Sequence, residues 1–404
     1  MTTPGSNSTR VPATVAFVHW GRSWIRGSEQ CLLDLIAHID RARFAPLVVC
    51  NQQVLADRAE ALGASALVLP ELAPARVVAS RRHVRELQRV MRERGARIIH
   101  ANCTVVMPAL VRVARNLRVP LVAHLHIVPT ETERRHELLH QASLVVGVSQ
   151  AAVAGFAEEG MPPGNIRVIY NAVDDGRIAS GDATGLRSAL GIPPDAVTLG
   201  AVCSLIHRKA VDVLLDALAV LRGRHERVHL IVAGDGDARP ALEQAAEVAG
   251  IAPCVHFLGE RRDAGAILRD AVDIAVTAAR EESFGLNVIE AGYFGLAVVA
   301  SDIPAHREAV VDGVTGILAP VEDPRGFAAA VSTLLKDVER RRRMGIAGRD
   351  RVRREFTMTR YVTQFERAYE ELLERPARDF GWIGATRWPK VYSAWAKEAI
   401  GKRL

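Results

Sequence analysis

The sequence predicts an α/β protein of two domains, each a parallel sheet covered by helices on both faces, and three observations predict it. The chain has 404 residues, more than one hydrophobic core ordinarily supports, so two domains of roughly 150–200 residues each are expected. Hydrophobic residues make up 49% and aromatic residues only 5%. That is enough to fill two cores, with the Ala, Val, Leu, Gly and Arg usage of alternating strands and helices rather than that of a Tyr- and Thr-rich sandwich. Third, short apolar runs alternate with stretches of helical periodicity along most of the chain.

Taken in order, residues 15–18 form an apolar run ending at His19, Trp20 and Gly21, which reads as a buried strand entering a loop. A helix follows, with Ser28 as its N-cap and Leu32, Leu33, Leu35, Ile36 and Ile39 on its apolar face. Gly27 therefore sits at a helix N-terminus, where free N–H groups suit an anion or an oxygen-rich ligand. Further strands are expected at 47–50, 66–69, 97–100, 121–124, 144–148 and 167–170. Over 171–185 the composition turns to Asp, Gly, Ser and Thr, the mark of an interdomain linker.

A second series predicts strands at 198–203, 229–233, 255–258, 274–277, 297–300 and 316–318. Helices are predicted near 211–221, 239–249, 265–269, 284–294 and 326–336. Each half is thus Rossmann-like, and a ligand is expected in the cleft between them, at the carboxyl ends of the strands. The domains are drawn at 1–175 and 176–375. Residues 376–404, with Trp382, Trp388 and Trp395, are read as a tail packing back on the first domain, an interfacial anchor being the alternative.

Charge and cysteine usage narrow the setting. Cys31, Cys50, Cys103, Cys203 and Cys254 form no CxxC pair and mostly lie in apolar runs, so they read as reduced core residues of a cytoplasmic protein. No signal peptide or membrane span is expected. The net charge of +6 favours acidic partners. Much of the basic charge is concentrated, since eight arginines lie between Arg76 and Arg97 against only Glu86 and Glu93. With Val84, Leu87 and Met91 at helical spacing, this predicts a basic amphipathic helix. Its Arg81, Arg82, Arg85, Arg89 and Arg92 either dock on anionic membrane or form a solvated face. No aromatic-interleaved basic groove accompanies them, so nucleic acid is not expected as a partner.

The chemistry is concentrated in Glu282-Ser283-Phe284-Gly285-Leu286-Asn287-Val288-Ile289-Glu290. A strand ending near Thr277 opens into a loop carrying Glu281 and Glu282, and a helix is expected to start at about Phe284, with Glu290 two turns inside. Both carboxylates can then address one elongated ligand, accepting hydrogen bonds from its hydroxyls while a diphosphate lies near the helix start. Gly285, Gly292 and Gly295 permit close backbone approach.

Together with Val148-Ser149-Gln150, the 169–174 segment, the 232–236 glycine loop and the 301–320 segment, this signature resembles glycosyltransferase family 4, the retaining group of GT-B fold, from about Val15 to Glu370. The resemblance implies two Rossmann-like domains with parallel sheets facing a central cleft. It implies that Glu282 contacts the sugar of a nucleotide-diphosphate donor and Glu290 the ribose. Gly234, Gly236, Ser283, Phe284, Gly285 and Leu286 are placed beside the nucleotide, and Lys209 against the diphosphate. His126 aligns with the family's active-site histidine beside donor sugar and acceptor, although His124 shares its strand face. Where the family has an arginine five residues before the lysine, this chain has Ser204, and Ala210 stands where a glycine usually follows. Arg208 either supplies the missing guanidinium or points to solvent.

The implied reaction is substitution on one face of the sugar without a protein nucleophile, cofactor or obligatory metal, to an acceptor that is not identified. The departures at Ser204 and Ala210 motivate a rival reading, a nucleotide-sugar-binding protein with impaired catalysis. An epimerase ranks last, because no separate carboxylate pair is available to deprotonate a sugar.

Overall fold

Runs of β-branched and aliphatic residues, buried on both faces, build two wholly parallel sheets in the computed structural model, which describes residues 11–69, 81–223 and 227–376. The chain divides into two units, one formed by the chain up to Ile169 and from Tyr361 onward, the other by Tyr170–Arg360.

The first unit runs β1 (Ala13–His19), α1 (Gly27–His38), β2 (Phe44–Cys50), α2 (Gln53–Ala61), β3 (Ser65–Val68), α3 (Arg81–Glu93), β4 (Ala96–Ala101) and α4 (Met107–Leu117). It continues with β5 (Leu121–Leu125), α5 (Glu131–His136), β6 (Leu144–Gly147), α6 (Gln150–Glu158) and β7 (Ile166–Val168). The sheet order is β3-β2-β1-β4-β5-β6-β7. Val15, Ala16, Phe17 and Val18 are fully buried because helices cover both faces of β1, which explains an unbroken apolar run where a half-exposed strand would alternate. Val18 pairs with Val49 on one side and Ala101 on the other, so the strand order reverses at β1 and β4.

The second unit runs α7 (Asp175–Ile178), α8 (Leu186–Ala189), β8 (Val197–Val202), α9 (Val211–Arg222), β9 (Val228–Ala233), α10 (Arg239–Val248), β10 (Val255–Phe257) and α11 (Ala264–Ala271). Then come β11 (Ile274–Thr277), α12 (Leu286–Tyr293), β12 (Ala297–Ser301), α13 (Pro304–Ala309), β13 (Gly316–Ala319), α14 (Pro324–Lys336) and α15 (Val338–Glu355), after which α16 (Met358–Glu374) returns from Tyr361 to the first unit. The order β10-β9-β8-β11-β12-β13 reverses between β8 and β11. Open parallel sheets bind ligands outside the carboxyl ends of their strands at such switch points.

Three features differ from the sequence reading. The helix α1 has Arg26, not Ser28, at its N-cap: Glu29 at the third helical position reaches back to accept the Arg26 N–H (3.1 Å), and the Ser28 hydroxyl donates to the same carboxylate (3.0 Å). The 171–185 stretch is not bare linker, since the Asp174 side chain accepts the Arg177 N–H (2.7 Å) and starts α7. Most of α16 packs in the first unit although residues to 375 were assigned to the second domain. Its Phe365 and Tyr369 are fully buried against Phe17, Phe44 and His100, and Tyr361 donates to the Cys31 carbonyl (3.2 Å). Helical periodicity tells that a face is apolar, not which sheet it covers. Residues 377–404, most of the expected tail, lie outside the described residues.

The basic helix forms as α3. Val84, Leu87, Val90 and Met91 join the core, while Arg82, Arg85, Arg89 and Arg92 are exposed and Arg89 pairs with Glu93 (2.6 Å). Arg76 and the side chain of Arg81 lie outside the described residues. No described helix is long and apolar enough to cross a membrane.

Candidate functional site

In the second unit the loops leaving β8 and β11, the two strands at the switch point, carry the charged residues singled out from sequence. A turn at His207–Lys209 ends in Ala210, which adopts left-handed backbone (φ 50°, ψ 44°) as it enters α9. A β-carbon disfavours that conformation, which is the physical reason a glycine would sit more easily there. The β11 loop is tied to this turn by backbone and side chain: the Arg280 N–H donates to the Arg208 carbonyl (2.9 Å), and its guanidinium to the His207 carbonyl (2.6 Å) and Asp212 (2.6 Å). Arg280 was not singled out from sequence, because no local pattern marks a residue that joins two loops far apart in the chain.

The tie brings Lys209, Arg208 and Glu282 together. Glu282 is largely buried and ion-paired with Lys209, lies 3.3 Å from the Arg208 guanidinium, and accepts the Ser283 N–H at 3.0 Å. Burial alone would push this carboxyl up; the charge and hydrogen bond of Lys209, then the charge of Arg208 and the Ser283 N–H, outweigh it and hold the group at about 2. Arg208 thus turns toward the carboxylate rather than to solvent. Ser204 remains in the same loop, where its carbonyl accepts the Ile206 N–H (3.0 Å).

The helix after Glu282 starts two residues later than expected. Gly285, at φ 93°, is its N-cap, so α12 begins at Leu286 and Glu290 lies little more than one turn inside. Glu290 meets Arg177 at 3.4 Å, a partner supplied by the stretch read as linker. Ser283 and Leu286 are half-buried. Phe284 is not: its ring stacks on Tyr170 (5.6 Å between centroids) and meets Phe356 edge-on (5.5 Å), leaving its backbone as the part of the residue outside the aromatic cluster. Beneath Gly285 lies His306, fully buried, with Nδ1 2.9 Å from the Ser301 carbonyl. A β-carbon on Gly285 would approach it to 3.1 Å.

Gly234 and Gly236 serve the packing of the two loops. A β-carbon on Gly234 (φ 144°) would fall 1.8 Å from the Cys203 carbonyl oxygen, and one on Gly236 would fall 2.4 Å from that of Leu205. Their absence lets the β9 loop lie on the β8 loop, with Leu205 N–H donating to Asp235 O (3.0 Å), while Gly234 N–H donates to Gly259 O (2.8 Å) in the loop after β10.

In the first unit, the carboxyl ends of β1, β4 and β5 gather a chain of polar groups. His126 follows β5 and is partly exposed, with Nε2 3.1 Å from Asn102 Oδ1. Asn102 Nδ2 lies 3.2 Å from His19 Nδ1 and donates to the Ser28 carbonyl (3.1 Å), and His19 Nε2 is 2.9 Å from Glu29. His124 shares the strand face of His126, ring centroids 4.0 Å apart, but is buried and faces His100 (3.3 Å), which in turn meets the Tyr369 hydroxyl (2.7 Å). Enclosure, and next the neighbouring His19, lower the His126 ring to about 3 against an upward pull from Glu29. Burial would push Glu29 up, but His19 and the backbone N–H groups hold it at about 2. Gly27 is exposed at the first position of α1. Sequence reasoning missed Asn102, His19 and Glu29, whose link to His126 exists only once three strands are adjacent.

Comparison with known proteins agrees with this arrangement. Residues 25–177 match the family model described as Glycosyltransferase Family 4, and residues 182–351 that described as Glycosyl transferases group 1. The chain is 35% identical over 252 residues to a D-inositol 3-phosphate glycosyltransferase of Geodermatophilus obscurus, covering 58% of this chain and 55% of that protein. It is 37% identical over 165 residues to the phosphatidyl-myo-inositol mannosyltransferase of Mycolicibacterium smegmatis, covering 40% and 42%. The matched region thus spans about half the length of these curated relatives. Among solved structures, Alr3699/HepE of Anabaena in complex with UDP and glucose superposes with a TM-score of 0.78 at 24% identity, covering 88% of this chain and 99% of that one. The likeness establishes a GT-B fold. Two parallel-sheet units, each matched by its own family model in the same chain order, make this chain a member of glycosyltransferase family 4.

Proposed function

We propose that the chain is a retaining glycosyltransferase that moves a sugar from a nucleotide-diphosphate donor, a UDP- or GDP-sugar, onto the hydroxyl of a lipid-linked or polysaccharide acceptor. The observation that carries the reading is the convergence of Lys209 and Arg208 on the Glu282 carboxylate at the β8/β11 switch point. Two cations, one enclosed and one half-exposed, around an enclosed carboxylate suit a ligand that joins a diphosphate to a hydroxyl-rich sugar. On binding, the diphosphate takes over Lys209 and Arg208, and Glu282 accepts from sugar hydroxyls. Glu290 accepts from the ribose, and the backbone at Ser283–Leu286 faces the phosphates. UDP and glucose in the Anabaena neighbour favour a UDP-sugar.

In the step itself the bond from the anomeric carbon to the phosphate oxygen breaks and the acceptor oxygen bonds to that carbon on the same face. The acceptor's proton passes to the leaving phosphate. The cations stabilise charge growing on the phosphate, and His126 contacts the reacting sugars. The bond exchange balances without a metal or cofactor. Glu282→Ala is expected to lose hydrogen bonds to a charged group, about ten- to hundredfold in transfer rate. Transfer by the wild type and its loss in the variant, measured with one donor, support the assignment. A wild type that saturates with nucleotide but turns over no donor supports instead the impaired binding protein suggested by Ser204 and Ala210.

We also propose that α3 meets an anionic membrane face, where a lipid-linked acceptor would be presented. The exposed Arg82, Arg85, Arg89 and Arg92 support it, with Arg81 preceding them in sequence. Each arginine near such a surface contributes about 1 kcal/mol. The protein is expected to float with anionic liposomes at low salt and to release at high salt; failure to float at low salt overturns this reading.

A further inference from the structure

We infer that Glu29, His19 and Asn102 form a positioning relay that fixes His126 in the tautomer carrying its proton on Nε2, leaving Nδ1 as the hydrogen-bond acceptor. The inference rests on the proposed contact of His126 with the sugar substrates.

The Ser28 carbonyl can only accept a hydrogen bond. The Asn102 atom 3.1 Å from it must be the amide nitrogen, and this excludes the flipped amide. That same nitrogen lies 3.2 Å from His19 Nδ1, so His19 Nδ1 must accept and the His19 proton must be on Nε2. This agrees with the other side of the ring, where Nε2 faces the Glu29 carboxylate at 2.9 Å. With both Asn102 amide protons committed, its Oδ1 can only accept, and His126 Nε2 at 3.1 Å must donate. The tautomer of a histidine is set by the bond its other nitrogen makes. Among the described residues His126 Nδ1 has no hydrogen-bond partner, so a neutral His126 offers a lone pair there to a substrate hydroxyl. Glu29 anchors the far end, since its second oxygen is held by the Arg26 N–H and the Ser28 hydroxyl. Every member stands at, or just after, the carboxyl end of β1, β4 or β5, or in the first turn of α1, so the relay lies on rigid elements.

Two substitutions break the chain differently. Asn102→Ala removes the link. Glu29→Gln keeps the cap, because the two donors at its second oxygen hold the amide oxygen there; the amide nitrogen then faces His19 and drives its proton to Nδ1. Turning Asn102 over to accept that proton would set its oxygen against the Ser28 carbonyl, so the link to His126 is strained in Glu29→Gln and lost in Asn102→Ala. The test is a nitrogen–proton correlation spectrum of the full chain with labelled histidine, His126 being assigned by its loss in His126→Gln. Wild type is expected in the Nε2–H form, with a shift toward Nδ1–H, or a mixture, in at least Asn102→Ala. A wild-type Nδ1–H form, or a tautomer unmoved in both variants, overturns the inference. With an active donor, both variants are expected to lose about tenfold or more in kcat, while donor KM stays within about twofold. Loss confined to KM counts against a positioning role. The spectrum needs no turnover, so the relay is judged separately from the proposed enzymatic activity.

Discussion

Replacing Lys209 with alanine is expected to lower turnover about a hundred- to a thousandfold, the scale found when one preorganised group facing a developing negative charge is removed. Lys209 is mostly enclosed and pairs with Glu282, so its charge acts where water screens it poorly. Arg208 does not replace it: its side chain is 41% exposed and 3.3 Å from the same carboxylate, so its field is better screened. The deletion also leaves Glu282 enclosed with only Arg208 and the Ser283 N–H to oppose the upward pull of burial. Lys209→Arg restores the charge without the point geometry of an ammonium group and is expected to recover only part of the rate. Steady-state kinetics with a donor that the wild type uses decides the matter. Turnover by Lys209→Ala within threefold of wild type would remove the lysine from the mechanism.

Gly234→Ala is expected to be the most damaging small substitution in the second unit, costing about 3 kcal/mol. The added methyl would lie 1.8 Å from the Cys203 carbonyl oxygen, a backbone atom that no side-chain rotation can move aside, and φ at 144° disfavours any β-carbon. The β8 and β9 loops would have to separate, breaking the hydrogen bond from Leu205 N–H to the Asp235 carbonyl. Gly185→Ala is the matched control, because a methyl there meets nothing within 4 Å and φ is −87°. Urea unfolding monitored by circular dichroism should show a large fall in midpoint for the first and almost none for the second. Equal midpoints would mean that the loops part at little cost.

The alternating strands were legible in the sequence, and so was the second half's helix pattern, because burial on both faces imposes continuous apolar runs on parallel strands. Glu282, Lys209 and Arg208 were visible as charged residues in loops after strands, but their convergence was not. It depends on Arg280 bonding across to His207 and Asp212, contacts that have no local signature. The start of α12 was placed two residues early because Phe284 looks like the first apolar residue of a helical face. Its ring instead belongs to a cluster with Tyr170 and Phe356, and only the next residue, a glycine with positive φ, turns the chain into the helix. Gly234 and Gly236 were expected beside a nucleotide; a second, steric reason for both lies in neighbouring carbonyl oxygens, which sequence does not show. His126 was preferred to His124 by its place in the family pattern alone, since both share one strand face. Depth separates them, since β5 ends between the two and leaves His124 in the core.

The return of α16 to the first sheet has a consequence for biosynthesis. Phe365 and Tyr369 fill space against β1, β2 and β4, strands that leave the ribosome more than two hundred residues earlier. Until they arrive, the nascent amino-terminal half must wait with an aromatic-sized gap beside Phe17 and His100. The part of the protein translated first is therefore completed last.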